Sequence, residues 1–380
     1  MELNQYIHNN KERQSGVEAL KVIAVVCIIL SHVIQTLCTN NSYILYDDYI
    51  LDLSEATLSL KLIGLQFLRS FGVLGNHIFF VCSAWFLLDS NRINTKKWFH
   101  MLLEVWTISI LFTVGALLLM KDQIPIKLLI KCFFPTTFAN NWYMTCYLLF
   151  YPLHTMLNRF IGFLNQKTHF RLAIASFVVY FVANSVISGL FFPSSILLWM
   201  GIYIIVGYMK KYMGKASNNI KVNVIVLSIT FVLFFTCQIV WNCAGIKFSF
   251  LNSKMLHWNS NYNPFWLISA LCMLNIARNL KFENNLINYI SGLSLEVYLI
   301  HENILVRTYF RPYVFDYLHH NYGYEHVYLI VFAYTIALFL ASLICAIIYR
   351  KTIGRLVKTA SARLHNALGL VYTGLENKII

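Results

Sequence analysis

Charged side chains are scarce. They make up 12% of the 380 residues, about half the share of an ordinary soluble domain, while 58% of the chain is hydrophobic and mean hydropathy is +0.60. That balance excludes a disordered chain and a soluble globule, which needs far more charge to cover its exterior. Paired-cysteine motifs are missing as well. The nine cysteines show no Cys-x-x-Cys and no metal-ligand spacing, and most lie in apolar runs, where cysteine behaves as a small hydrophobe. Neither a disulfide framework nor a metal site is expected. Internal repeats, low-complexity tracts and heptads are also absent, and no room is left for a separate soluble domain.

What the chain does have is apolar length. Crossing hydrocarbon takes roughly 20 apolar residues, and backbone groups there must bond internally, so helices are the reasonable form for such runs. Apolar windows predict ten helices, at about 17–38, 58–88, 97–120, 141–158, 170–191, 194–210, 221–243, 264–280, 286–310 and 326–349. The fold class expected is all-α, a polytopic integral membrane protein of the plasma membrane. Residues 1–350 form its ten-helix transmembrane domain and 351–380 a basic tail. The tail's apolar positions suit an amphipathic helix on the anionic inner leaflet; a solvated charged tail is the alternative. The run 58–88 is expected to bend near Gly72–Gly75 or to form a re-entrant pair, and Ile126–Phe138 to lie in the interface. The first run is too long for a signal-peptide core and carries Glu18 and Lys21, so it is expected to be retained.

The net charge of +14 invites a nucleic-acid reading, but its placement explains it otherwise. Twenty of the 30 Lys and Arg fall in alternate connecting segments together with the two ends of the chain, seven in the other segments and three within or beside spans. The positive-inside rule then puts both termini in the cytoplasm. The first outer loop agrees, holding Asp47, Asp48, Asp52 and Glu55 without a Lys or Arg. No nucleic-acid partner is needed.

Ionisable groups inside spans are costly and mark pathways or sites. Lys21 and His32, eleven residues apart, share one helix face about 16 Å apart along the axis. Glu18 stands three residues before Lys21 and can pair with it; alternatively Lys21 snorkels to headgroups. His32 lies too deep to snorkel. Arg69 needs an anion, a carboxylate or a wet cavity, with Glu296 and Glu104 as structural partners in reserve. His77 suits packing. Ser294, Tyr298 and His301 fall at i, i+4 and i+7 on one face. Trp142 and Tyr143 open a span, as interfacial aromatic residues do. Helix alternation places His32, His301, Trp142 and Tyr143 at similar depth in the outer half, with Arg69 nearer the middle.

These residues carry a resemblance. Lys21-x10-His32 in the first span, Gly72–Leu87 (GVLGNHIFFVCSAWFL), Asn141–Pro152 (NWYMTCYLLFYP) and Ser294–His301 (SLEVYLIH) resemble, in order, four segments of the membrane-bound acyltransferase 3 family. Nearly the whole chain is covered. It departs at Ala84 and Trp85, where the family more often has Gly and then Phe or Tyr, and at Lys21, where Arg is frequent. Lysine keeps the charge without the bidentate fork.

The resemblance implies an O-acyltransferase that moves an acyl group, expected to be acetyl, from cytoplasmic acyl-CoA to a hydroxyl of an extracytoplasmic or lipid-linked glycan. It implies His32 as the catalytic base or acyl carrier. Lys21, Arg92, Lys96 and Lys97 would hold CoA phosphates, and Arg69 the thioester carbonyl or a deeper phosphate. Trp142, Tyr143, Ser294, Tyr298, His301 and Glu302 would face or support the acceptor. Acetyl-CoA enters as co-substrate, no cofactor is held permanently, and membrane lipids surround the chain. A transporter or flippase of lipid-linked sugars, which also uses intramembrane charges around a midplane site, is the alternative.

Overall fold

Asparagines set where several helices begin. The side chains of Asn165, Asn219, Asn263 and Asn284 each accept from a backbone N–H of the first turn that follows, meeting donors that a helix start leaves open. Pro264 follows Asn263 at the first helical position, where its fixed φ and missing N–H cost nothing. The computed structural model describes residues 14–35, 60–120, 123–184, 195–248, 250–251, 260–322 and 325–379. The acidic loop at 47–55 lies outside them.

In chain order the helices are α1 (Ser15–Gln35), α2 (Leu60–Arg69), α3 (Phe71–Leu87), α4 (Thr95–Met120), α5 (Ile126–Phe133), α6 (Trp142–Phe163) and α7 (Gln166–Phe177). They continue with α8 (Ser195–Tyr212), the short α9 (Gly214–Ser217), α10 (Ile220–Lys247), α11 (Pro264–Asn279), α12 (Asn285–Gly292) and α13 (Ser294–His301). The last three are α14 (Arg311–Tyr322), α15 (Val327–Lys351) and α16 (Ile353–Ile379). No strand occurs among the described residues. Among the described residues five segments are long and apolar enough to cross a membrane: α1, Ile63–Leu87 across α2 and α3, α4, Ile220–Gly245 within α10, and α15.

Two expected helices are interrupted. The run 58–88 breaks at Ser70, slightly before the expected bend; Ser70 Oγ donates to the Phe67 carbonyl at 2.5 Å, a local bond that competes with regular helix. The run 286–310 is not one helix. It divides into α12 and α13 at Leu293, ends at Glu302, and resumes as a π-helical turn, Val306–Phe310, that leads into α14. A second π-helical stretch, Val178–Ala183, extends α7. Apolar windows cannot see such breaks, because they register composition and not backbone hydrogen bonding.

α3 sits at the centre, packed on α1, α8 and α11. Its crossing with α1 is backbone-close: a Cβ on Gly75 would stand 2.6 Å from the Ala24 carbonyl oxygen and 2.7 Å from Ile28 Cγ1. Small residues allow such approach where lipid offers helices no hydrophobic drive to associate. Trp266, Phe80, Phe150 and Tyr203 fill the interior. The outside of the bundle is apolar in turn, with Leu118, Leu119, Ile225, Val232, Leu329 and Ile344 exposed, a surface suited to hydrocarbon and not to water.

The helix ends gather as alternation requires. At the end where α1 begins, called proximal here, Asn158 of α6 donates to the carbonyls of Leu87 and Ser90. Lys210 of α8 pairs with Asp89, and the Arg278 guanidinium lies 3.8 Å over the Trp85 ring. At the opposite, distal end, Tyr309 donates to the Gln123 carbonyl and α5 packs beside α4. α16 returns along α4, with the Thr95 hydroxyl 2.6 Å from His365 Nδ1.

Candidate active site

Near its distal end α1 presents His32 to the junction that follows α13. His32 Nδ1 lies 3.0 Å from Glu302 Oε2 and 3.2 Å from His301 Nε2. His301 Nδ1 donates to the Val297 carbonyl at 2.8 Å, one helical turn back. A neutral His301 therefore carries its proton on Nδ1 and offers only a lone pair at Nε2. Both groups facing His32 Nδ1 are thus acceptors, so that nitrogen is the donor. The lone pair of neutral His32 is left on Nε2, the tautomer that a base needs. The His32 side chain is 18% exposed, whereas His301 and Glu302 are buried.

Glu302 is held from the other side by two guanidiniums. Arg307 NH1 lies 3.0 Å from Oε1 and Arg311 NH1 3.2 Å from Oε2. Buried carboxylates persist when paired and hydrogen-bonded, and this one has three partners. Asn141, at the start of α6, donates to the Glu302 backbone carbonyl at 3.4 Å. The Tyr298 ring stands edge-on to His301 and to Tyr143. Tyr143 is buried against Phe79 and Trp199, and Trp142 packs edge-on to it.

The remaining candidate residues lie elsewhere. Arg69 ends α2, and its backbone carbonyl accepts from Ser31 Oγ at 2.5 Å, one residue from His32, so it sits at the level of the site. Its two reserve partners are engaged otherwise: Glu296 by Arg350, and Glu104 by His100 at 3.2 Å. Ser294 opens α13, at the end away from His301. Lys21 is near the proximal end, paired with Glu18 at 3.0 Å, while the Ser291 hydroxyl donates to the other Glu18 oxygen. Arg92, Lys96 and Lys97 are exposed at that same end. His77 is buried 5.9 Å from the Phe181 ring.

Arg307 and Arg311 were not legible from spacing. On one regular helix they would point roughly 140° and 180° away from Glu302; the break after Glu302 and the π-helical turn bring them back to it. The ligand-type atoms of His32, His301 and Glu302 lie within 4.8 Å of one another, a two-histidine, one-carboxylate set of the kind that holds catalytic zinc. Here each Glu302 oxygen already accepts from a guanidinium, whose charge opposes a cation at that point. The arrangement fits a hydrogen-bonded His–Glu pair better than a metal centre.

His32 presenting a free Nε2, oriented by a buried carboxylate through Nδ1, is the layout of a general base with its orienting acid. No curated protein and no solved structure matches the chain. A family model described as an acyltransferase domain matches residues 14–351. With the match covering α1 to α15 and the His32 pair at its distal end, the chain belongs to the acyltransferase 3 family of membrane acyltransferases.

Proposed function

We propose that the protein transfers an acyl group, acetyl in the simplest case, from acyl-CoA to a hydroxyl of an extracytoplasmic or lipid-linked glycan. His32 Nε2 takes the proton of the acceptor hydroxyl as its oxygen attacks the thioester carbon. The imidazolium that forms is stabilised by Glu302 at Nδ1, which Arg307 and Arg311 keep in place. The tetrahedral oxyanion collapses, the C–S bond breaks, and the proton on His32 passes to the departing CoA sulfur. Arg69, whose backbone carbonyl accepts from Ser31, would supply positive charge to the developing oxyanion, where it acts most strongly in a water-poor site.

The donor would reach His32 from the proximal end. Lys21 lies on the same face of α1 about 16 Å away, a span an extended pantetheine arm can cover, and Arg92, Lys96 and Lys97 would meet the phosphates beyond it. The acceptor would approach from the distal end past Trp142 and Arg307.

The observation that carries this reading is the pair of acceptors at His32 Nδ1. A packing histidine needs neither a buried carboxylate nor a defined tautomer. His32→Ala should insert and fold yet lose transfer of labelled acetyl from acetyl-CoA to membrane glycan by about 100-fold or more, the usual contribution of a general base. Undiminished transfer in correctly inserted His32→Ala protein would remove the assignment.

A further inference from the structure

Charge around Glu302 is not balanced. Arg311 is 2% exposed and binds Glu302 Oε2, so this pair satisfies the need of a buried carboxylate for one counter-charge. Arg307 adds a second guanidinium on Oε1. Its side chain is 37% exposed, and its hydrogen bond to Glu302 uses NH1 alone, leaving other donors of the fork open to whatever enters. Behind it Arg311 Nε is buried without a hydrogen-bond partner, a further unmet donor of the same sign. Two guanidiniums thus face one carboxylate beside the catalytic imidazole.

Arg307 NH1 and His32 Nδ1 bind the same carboxylate, so they lie no more than about 8 Å apart, and the outward Nε2 within about 10 Å. One sugar ring, with a hydrogen bond at each end, covers that distance. An acceptor whose hydroxyl meets His32 Nε2 can therefore place a neighbouring substituent against Arg307. A surplus cation at the edge of a low-dielectric site attracts an anion strongly, and a guanidinium is suited to the planar or trigonal oxygens of carboxylate and phosphate.

We propose that Arg307, backed by Arg311, forms a subsite for an anionic group on the acceptor, a carboxylate or phosphate one ring's reach from the acylated hydroxyl. The proposal rests on the glycan-acyltransferase reading for the identity of the reaction. The anion itself is bound by geometry that does not depend on that reading. The preferred acceptors would be acidic saccharides, of the uronic-acid or the sugar-phosphate kind.

The test uses the full chain purified in a maltoside detergent, with acetyl-CoA and three acceptors: methyl glucoside, methyl glucuronoside and glucose 6-phosphate. Wild type is expected to use at least one anionic acceptor about tenfold better than the glucoside in kcat/KM, through KM, as one charge-assisted contact supplies. Preference for the glucuronoside identifies a carboxylate source, and preference for glucose 6-phosphate a phosphate source. Arg307→Gln should bring that ratio near one, and Arg307→Lys should restore part of it. A wild-type ratio at or below one overturns the subsite. So does an equal loss on all three acceptors in Arg307→Gln, which marks a purely structural or headgroup-binding arginine. Calorimetric binding of methyl glucuronoside separates the two readings. Binding that weakens in Arg307→Gln without transfer to any acceptor keeps the subsite and sinks the glycan reading, whereas neither binding nor transfer sinks the subsite.

Discussion

Glu302 joins three basic side chains that come from separate parts of the fold: His32 of α1, Arg307 of the π-helical turn and Arg311 at the start of α14. Its removal has two consequences at the residue scale. In the proposed reaction the proton taken up by His32 would lose its stabilising charge, and Arg311, nearly wholly buried, loses its counter-ion. Glu302→Gln should therefore lower both transfer and stability, the latter by about 3–5 kcal/mol as for a broken buried pair. Transfer assays and thermal unfolding of the purified variant measure the two effects. A variant with unchanged melting and reduced transfer would assign Glu302 to chemistry alone. Lys21 shows the opposite situation, because its partner Glu18 is three residues away on the same helix and the pairing was readable from spacing. Its distance from His32 along α1 was equally readable, whereas the arginines of the site were not.

At the scale of elements, the candidate site depends on where helices fail to continue. α13 is eight residues long, and its final turn places His301 beside His32. Glu302 follows in a non-helical conformation, φ −99° and ψ 11°, and the π-helical turn then redirects Arg307 and Arg311. π-helical segments recur at functional sites because they re-aim side chains that an α-helix would carry past. The α1–α3 crossing is the support beneath the site. Gly75→Val would drive its side chain into the Ala24 carbonyl and Ile28, with no room to relax. A loss of about 1–3 kcal/mol is expected from such overpacking. Because α1 carries His32, transfer should fall alongside the melting temperature. A fully active, equally stable Gly75→Val protein would contradict the close packing of these helices.

At the scale of the whole molecule, the bundle is polar inside its site and apolar outside, so it needs lipid or detergent to stay folded. Lys215 follows α8 at the proximal end and Lys127 lies on α5 at the distal end, and the basic segments favour the proximal end for the cytoplasm. Cysteines introduced in place of Lys127 and Lys215, in a background whose exposed Cys243 and Cys345 are replaced by serine, should differ in labelling. A membrane-impermeant maleimide added to intact cells should label the Lys127→Cys site and spare the Lys215→Cys site. The reverse pattern would invert the orientation and with it the side from which donor and acceptor arrive.

Composition and hydropathy alone determined that the chain is helical and lives in a bilayer, because apolar length without charge leaves hydrocarbon as its solvent and internally bonded helices as its backbone. Local spacing determined the Lys21–His32 face and the Tyr298–His301 face, since both lie within uninterrupted helix. Tertiary structure alone decided what His32 touches, and that Glu302 is shared between an imidazole and two guanidiniums. His32 lies hundreds of positions from Glu302, and the two arginines reach Glu302 only because the helix breaks between them; a sequence records no backbone hydrogen bond whose loss would announce that break.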